Sequence, residues 1–190
     1  MEQFQIREMR ETDIAQVEAI EQEIFSVPWS EKSFLSACTT PENIYLVCLA
    51  GEEVAGYCGL WSVLGEGNIT NMAVAEKYRR NGVAEALMKE MEERGRQKDV
   101  TIFFLEVRES NDAARRLYEK MGYEQIGVRK NFYEKPAENA IIKRLAYGIG
   151  KVYTKIRKGK TKKNVRCMFT RYKRNASAAG KMADIAVAAL

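Results

Sequence analysis

The sequence predicts an α/β domain of the α+β kind, a mixed sheet flanked by helices. Three features predict it. Apolar or β-branched runs of strand length recur at 44–50, 54–63, 68–74 and 100–107, and amphipathic helical stretches alternate with the later ones. Only Gly51-Glu52-Glu53 separates the first two runs, which calls for a hairpin. The run VTIFFLEV at 100–107 is nearly all apolar, as in a strand covered on both faces.

Taken in order, Phe4 to Arg7 alternate as a short strand, and Thr12-Asp13 can cap a helix with Ile14, Val17 and Ile20 to Ile24 at helical spacing. Pro28 breaks that helix, and Ser30 caps a second through Phe34 and Leu35. After the hairpin and the strand at 68–74, Val83, Ala84, Leu87, Met88 and Met91 form one apolar stripe. The buried strand at 100–107 follows. Asn111-Asp112 then starts a helix with Ala114, Leu117, Tyr118 and Met121 facing inward, and Gly122 ends it in a left-handed cap. Strands at 123–128 and 140–145 close the domain, which is expected over residues 1–145.

At 190 residues, 46% of them hydrophobic, the chain suits one folded domain. Charges interrupt every apolar run well short of the roughly 20 residues that span a bilayer. The four cysteines are too widely spaced for a CxxC site, and the expected setting is a reducing, cytoplasmic one. With no histidine in the chain, Ser-His-Asp and Cys-His schemes and histidine metal sites are excluded, and no metal is expected. Acid–base work must fall to Glu, Asp, Tyr, Lys or Cys.

Charge is uneven. Residues 146–190 carry twelve Lys or Arg against one Asp, whereas residues 1–145 carry nineteen basic and twenty-five acidic residues. Three readings compete for the basic C-terminal extension: a poorly ordered solvated tail, a ribosome- or RNA-binding arm with Tyr147, Tyr153, Phe169 and Tyr172 between its cations, or a non-native end from a shifted reading frame.

The stretch Arg79-Arg80-Asn81-Gly82-Val83-Ala84 lies between a strand and a helix. Such a geometry holds phosphate, because first-turn N–H groups lack partners and the macrodipole adds partial positive charge. Gly82 admits close approach to the backbone, and two arginines add forked donors. A solvated loop and cap is the plainer reading of these residues alone.

Arg79-x-x-Gly82-x-Ala84 also fits the Q/R-x-x-G-x-G/A signature of the GNAT superfamily of N-acetyltransferases, which the chain resembles over nearly all of residues 1–145. Within it the resemblance is to the RimI type, the ribosomal-protein alanine N-acetyltransferases, through four further segments. These are Pro28-Trp29-Ser30-Glu31, Leu105-Glu106-Val107-Arg108-x-Ser110-Asn111, Leu117-Tyr118-Glu119-x-x-Gly122-Tyr123, and Asn131-Phe132-Tyr133 followed by Ala140-Ile141-Ile142.

The resemblance implies a GNAT fold, with a mostly antiparallel sheet and a splayed strand pair at an acetyl-CoA site. It assigns the coenzyme's pyrophosphate to backbone N–H groups from Arg80 through Asn81, Gly82, Val83 and Ala84 to Glu85, its pantetheine and thioester to Met72-Ala73-Val74 at a bulge, and a further contact to Asn111. It makes Glu106 the general base and Tyr118 the acid that protonates the departing thiolate. The residues alone leave alternatives: Glu106 in a buried salt bridge to Arg108 or Arg115, and Tyr118 as a core aromatic. Trp29 and Tyr133, in expected loops, are candidates for a peptide groove, with a core role equally open for Trp29.

The implied substrate is the N-terminal alanine of ribosomal small-subunit protein 18. Lysine or small-amine acetylation, and a non-catalytic ribosome- or RNA-binding role for the tail, stand as alternatives. Lys143-Arg144 depart from the family pattern, where apolar residues are usual, and leave the packing of the last strand open.

Overall fold

The computed structural model describes residues 3–147, so the basic segment from residue 148 onward lies outside the described residues. The elements are β1 (Phe4–Glu8), α1 (Ile14–Ile24), α2 (Glu31–Cys38), β2 (Asn43–Ala50), β3 (Glu53–Val63), β4 (Glu66–Val74), α3 (Val83–Gln97), β5 (Ile102–Arg108), α4 (Asp112–Lys120), β6 (Glu124–Glu134) and β7 (Ala137–Ala146). This is the order the sequence predicts.

Two caps follow expectation and one does not. Ser30 accepts from the Ser33 N–H at 3.3 Å, and Gly122 ends α4 at φ +89°. Asp13, expected to cap α1, instead receives the Arg7 guanidinium at 2.6 and 2.8 Å and the Arg10 N–H at 2.7 Å. A buried carboxylate at that point gains more from a forked, charge-assisted partner than from one helix amide.

The strands form one sheet in the order β1-β2-β3-β4-β5-β7-β6. Every neighbouring pair is antiparallel except β4 and β5, which are parallel. That pair is joined over three residue pairs, from Glu66–Ile102 to Asn68–Phe104, and then parts. The sheet is thus two halves stitched at one end, with a wedge opening between β4 and β5.

Helices cover both faces. Leu87, Met88 and Met91 of α3 and Ala114 and Tyr118 of α4 pack with Leu60, Met72, Phe103 and Leu105 on one face. Ile14, Val17 and Ile20 of α1 and Phe34 of α2 pack with Tyr45, Tyr57 and Ala73 on the other. Among the described residues no helix is long and apolar enough to cross a membrane.

The last two strands run further than expected. A register shift in β6 between Arg129 and Tyr133, with Asn131 at φ +51°, interrupts the alternation that marks a strand. Tyr133 therefore lies within β6, 1% exposed, and not in a loop. Lys143 and Arg144 sit inside β7: Lys143, buried on the α4 face, holds Glu119 of that helix at 2.8 Å, and Arg144 meets Glu124 at 3.5 Å. Tyr147, grouped with the basic arm from its sequence, packs on the domain, its hydroxyl donating to Glu92 at 2.7 Å and its ring at 6.0 Å from Phe103.

Candidate active site

Gly82 caps α3 at φ +81°, with no side chain turned back onto the first-turn amides. A Cβ placed there would meet nothing within 4 Å, so open space lies ahead of the helix. Arg80 is also left-handed, at φ +64°, which curls the loop around that space. Arg79 folds its Nε onto the Val74 carbonyl at 3.2 Å and ties the loop to the end of β4. Glu85, a carboxylate where an anion would sit, is neutralised by Lys120 at 2.6 Å and Lys89 at 2.9 Å, and these partners hold its pKa down at about 2. The loop fits a diphosphate: glycine in place of a bulkier residue, open amides, and cations offsetting the one acid.

The wedge begins beside it. Opposite β3, β4 carries one extra residue, Thr70, because the register steps from Gly59–Asn71 to Leu60–Ile69. Ile69 and Met72 face α3 and α4, so the bulge turns Thr70 and Asn71 together toward α1: Thr70 contacts Tyr45 at 3.1 Å, and Asn71 donates to Glu21. Met72, Ala73 and Val74 are buried and continue along the edge of β4 that β5 has left.

Glu106 and Tyr118 flank the wedge on opposite faces. On β5, Leu105 and Val107 pack under α3 and α4, which leaves Glu106 facing the α1 side. Its partner is Arg129 of β6 at 2.5 Å, not Arg108 or Arg115. Those two are held elsewhere, Arg108 by Glu138 at 3.3 Å and Arg115 by Asp112 at 3.2 Å. The other oxygen, Oε2, is buried with no hydrogen-bond partner among the described residues. Burial raises the Glu106 pKa, opposed by the charge and hydrogen bond of Arg129. Tyr118 is fully buried under α4, its hydroxyl 3.6 Å from Met72 Sδ, and burial holds its proton well above the ordinary phenol range. A poised carboxylate and a retained phenol proton thus stand on either side of one gap.

Of the other expected site residues, Asn111 caps α4 by accepting from the Ala114 N–H at 3.1 Å. Trp29, in the loop before α2, leans on Phe34 and Tyr45 with ring centroids 5.4 and 6.5 Å away. Tyr133 lies under the Arg108 guanidinium, 4.1 Å from its centroid. Both aromatics belong to the α1 face, where Glu106 points.

Sequence reasoning missed Glu21, Asn71 and Arg129. Glu21 is 2% exposed and accepts from the Tyr57 hydroxyl, the Asn71 amide and the Trp29 N–H, the last at 3.1 Å. Burial pushes its pKa up to about 7 against the latter two bonds. A signal existed: Glu21 sits four residues after Val17 and seven after Ile14, on the buried stripe of α1.

A model of the acetyltransferase (GNAT) family matches residues 14–123. The chain belongs to the GNAT family. A Bacillus subtilis relative provisionally named ribosomal protein bS18-alanine N-acetyltransferase is 39% identical over 138 residues, 72% of this chain and 91% of the relative. The crystal structure of the ribosomal-protein-S18-alanine N-acetyltransferase from Escherichia coli superposes with TM-score 0.70 at 32% identity, covering 76% of this chain and 94% of that one. An Arabidopsis thaliana NAA60 complex with acetyl-CoA shares the fold at TM-score 0.71 and 19% identity, over 76% and 99% of the two chains. This GNAT protein is an acetyltransferase that uses acetyl-CoA. Among the described residues no cluster of three or more His, Cys, Asp or Glu could hold a metal ion.

Proposed function

We propose that this GNAT enzyme acetylates the α-amine of a peptide, the N-terminal alanine of ribosomal small-subunit protein 18, with Glu106 as general base and Tyr118 as general acid. The observation that carries the reading is the pair of proton-handling groups on opposite faces of the β4–β5 wedge. The names of the relatives supply the substrate.

Backbone N–H groups from Arg80 to Glu85 hold the diphosphate, and the freed edge of β4 at Met72, Ala73 and Val74 holds the pantetheine and thioester, with Asn111 adding a contact. Bound acetyl-CoA supplies an activated acetyl thioester. Glu106 takes one proton from the acceptor ammonium; as the C–N bond forms and the C–S bond breaks, Tyr118 gives its proton to the departing sulfur and the nitrogen sheds its second proton to solvent. Arg129 keeps Glu106 ionised while burial makes it a stronger base, and two opposed influences of this kind suit a carboxyl for the task.

An α-amine fits this base better than lysine does. At pH 7 the α-amine, with pKa near 8, is about a tenth neutral, whereas lysine near 10.4 is neutral far more rarely, a handicap of about 3 kcal/mol. The acidic balance of residues 1–145 steers a basic ribosomal peptide inward, and Trp29 and Tyr133 border its path on the α1 face. We assign the transferase unit to residues 1–145, with β7 running to Ala146 and Tyr147 packed on the domain, the basic extension outside it and the enzyme at work in the cytoplasm.

The test is mass spectrometry of a synthetic alanine-starting ribosomal peptide after exposure to enzyme and acetyl-CoA, in competition with acetyl-capped lysine peptides and free polyamines. One acetyl group at the alanine α-amine is expected, abolished in Glu106→Gln with acetyl-CoA affinity kept. Preferential labelling of lysine or polyamine would reassign the substrate, and an active Glu106→Gln would remove the base.

A further inference from the structure

We propose that Asn71 forms the second wall of the acceptor-amine subsite: its Oδ1, held in place by Glu21, and Oε2 of Glu106 together receive N–H groups of a primary ammonium. The inference rests on the reading of Glu106 as base and adds the group that positions the amine in front of it.

Asn71 Oδ1 and Glu106 Oε2 are both buried side-chain oxygens without a hydrogen-bond partner among the described residues. Their residues are 1% and 7% exposed. Buried acceptors are nearly always satisfied, so two on one site ask for a donor from outside the chain.

Register puts them level. The last β4–β5 pair is Asn68–Phe104. Glu106 lies two residues beyond it on β5, and Asn71 three beyond it on β4, where Thr70 is the extra residue of the bulge. Discounting that residue, each stands two steps into the wedge, one on each bank. Both face α1: Asn71 through its bond to Glu21, Glu106 by alternation with Leu105 and Val107. Without the bulge, Asn71 would turn to the α3 side and the two oxygens would lie on different faces.

The chemistry divides accordingly. An ammonium offers three donors and no acceptor, the complement of two orphaned oxygens. An amide oxygen orients the amine but does not compete for its proton, which leaves proton removal to Glu106. Glu21 fixes which end of the Asn71 amide is presented, because the carboxylate captures the NH2 and turns the carbonyl away. Recognition by two walls selects a primary amine; a secondary amine has fewer protons and an N-substituent in the cleft.

Asn71→Leu and Asn71→Asp in the full chain separate this role from packing. Both lose the amide donor to Glu21, but only Asp keeps an acceptor. For Asn71→Leu the peptide KM is expected to rise about 10- to 100-fold, the loss of one hydrogen bond to a charged group, with acetyl-CoA KM within about twofold of wild type. Asn71→Asp is expected to keep the peptide KM near wild type. Equal impairment of both variants, or an unchanged peptide KM in Asn71→Leu, overturns the proposal. Should Asn71→Leu not fold, Asn71→Asp decides by its preference for the alanine peptide over the same peptide lacking the amino group: a stronger preference than wild type supports the subsite, an unchanged one overturns it. Activity retained in Glu106→Gln would instead sink the base assignment, whatever the Asn71 variants show.

Discussion

Glu21→Gln tests the physical core of the α1 face. The Glu21 carboxyl is carried up from 4.5 to about 7, chiefly by burial. The folded protein keeps this proton to a higher pH than the unfolded chain does. Its contribution to stability is therefore intact below pH 4.5 and lost as pH rises toward 7. At about 1.4 kcal/mol per unit, a rise from 4.5 to about 7 amounts to about 3 kcal/mol. Other groups titrate over the same range, so the quantity to follow is the stability of wild type minus that of Glu21→Gln, from urea unfolding at steps between about pH 4 and pH 8. That difference should fall by about 3 kcal/mol across the range, most steeply near pH 6. A flat difference would mean that the three donors from Tyr57, Trp29 and Asn71 already offset the desolvation, and would refute the reasoning.

Gly82→Ala places a side chain at φ +81°, at a strain of about 1–2 kcal/mol, and should lower Tm by about 2–8 °C. Its methyl would also enter the space ahead of α3, so calorimetry should show acetyl-CoA binding at least about tenfold weaker; unchanged affinity would move the diphosphate elsewhere. Tyr118→Phe keeps the ring packing on Tyr123 and loses only a hydroxyl whose neighbour is Met72 Sδ at 3.6 Å. Its Tm should hold while kcat falls about 10²- to 10⁴-fold, and full activity would leave Tyr118 a core aromatic. Lys143→Met should be neutral or stabilising in urea unfolding, because a buried ammonium gives way to a thioether of similar length, whereas Glu119→Gln strands that ammonium and should destabilise.

Local signals made most of the fold legible. Strand and helix order, the Ser30 cap, the Gly82 loop and the left-handed Gly122 rest on periodicity and on residues whose chemistry acts within a few positions. What escaped depends on distant pairing. The partner of Glu106 is Arg129, twenty-three residues away on a strand that reaches β5 only through β7. Tyr133 read as loop because β6 breaks its alternation at Asn131. Lys143 looked misplaced in an apolar strand because Glu119, which satisfies it, comes from a helix in another layer. Asn71 gave no sign at all, since the step that turns it toward α1 is a bulge fixed by pairing with β3.

On the roles proposed above, the opposed placement of Glu106 and Tyr118 has a cost after each reaction. Glu106 would end with a surplus proton and Tyr118 with a deficit, on opposite sides of the gap between β4 and β5. Glu106 can discharge along the route by which the peptide leaves. Tyr118, sealed beneath α4, would be recharged from the coenzyme's side, so on these roles the resting enzyme is restored by two exchanges, each waiting on the exit of a different product.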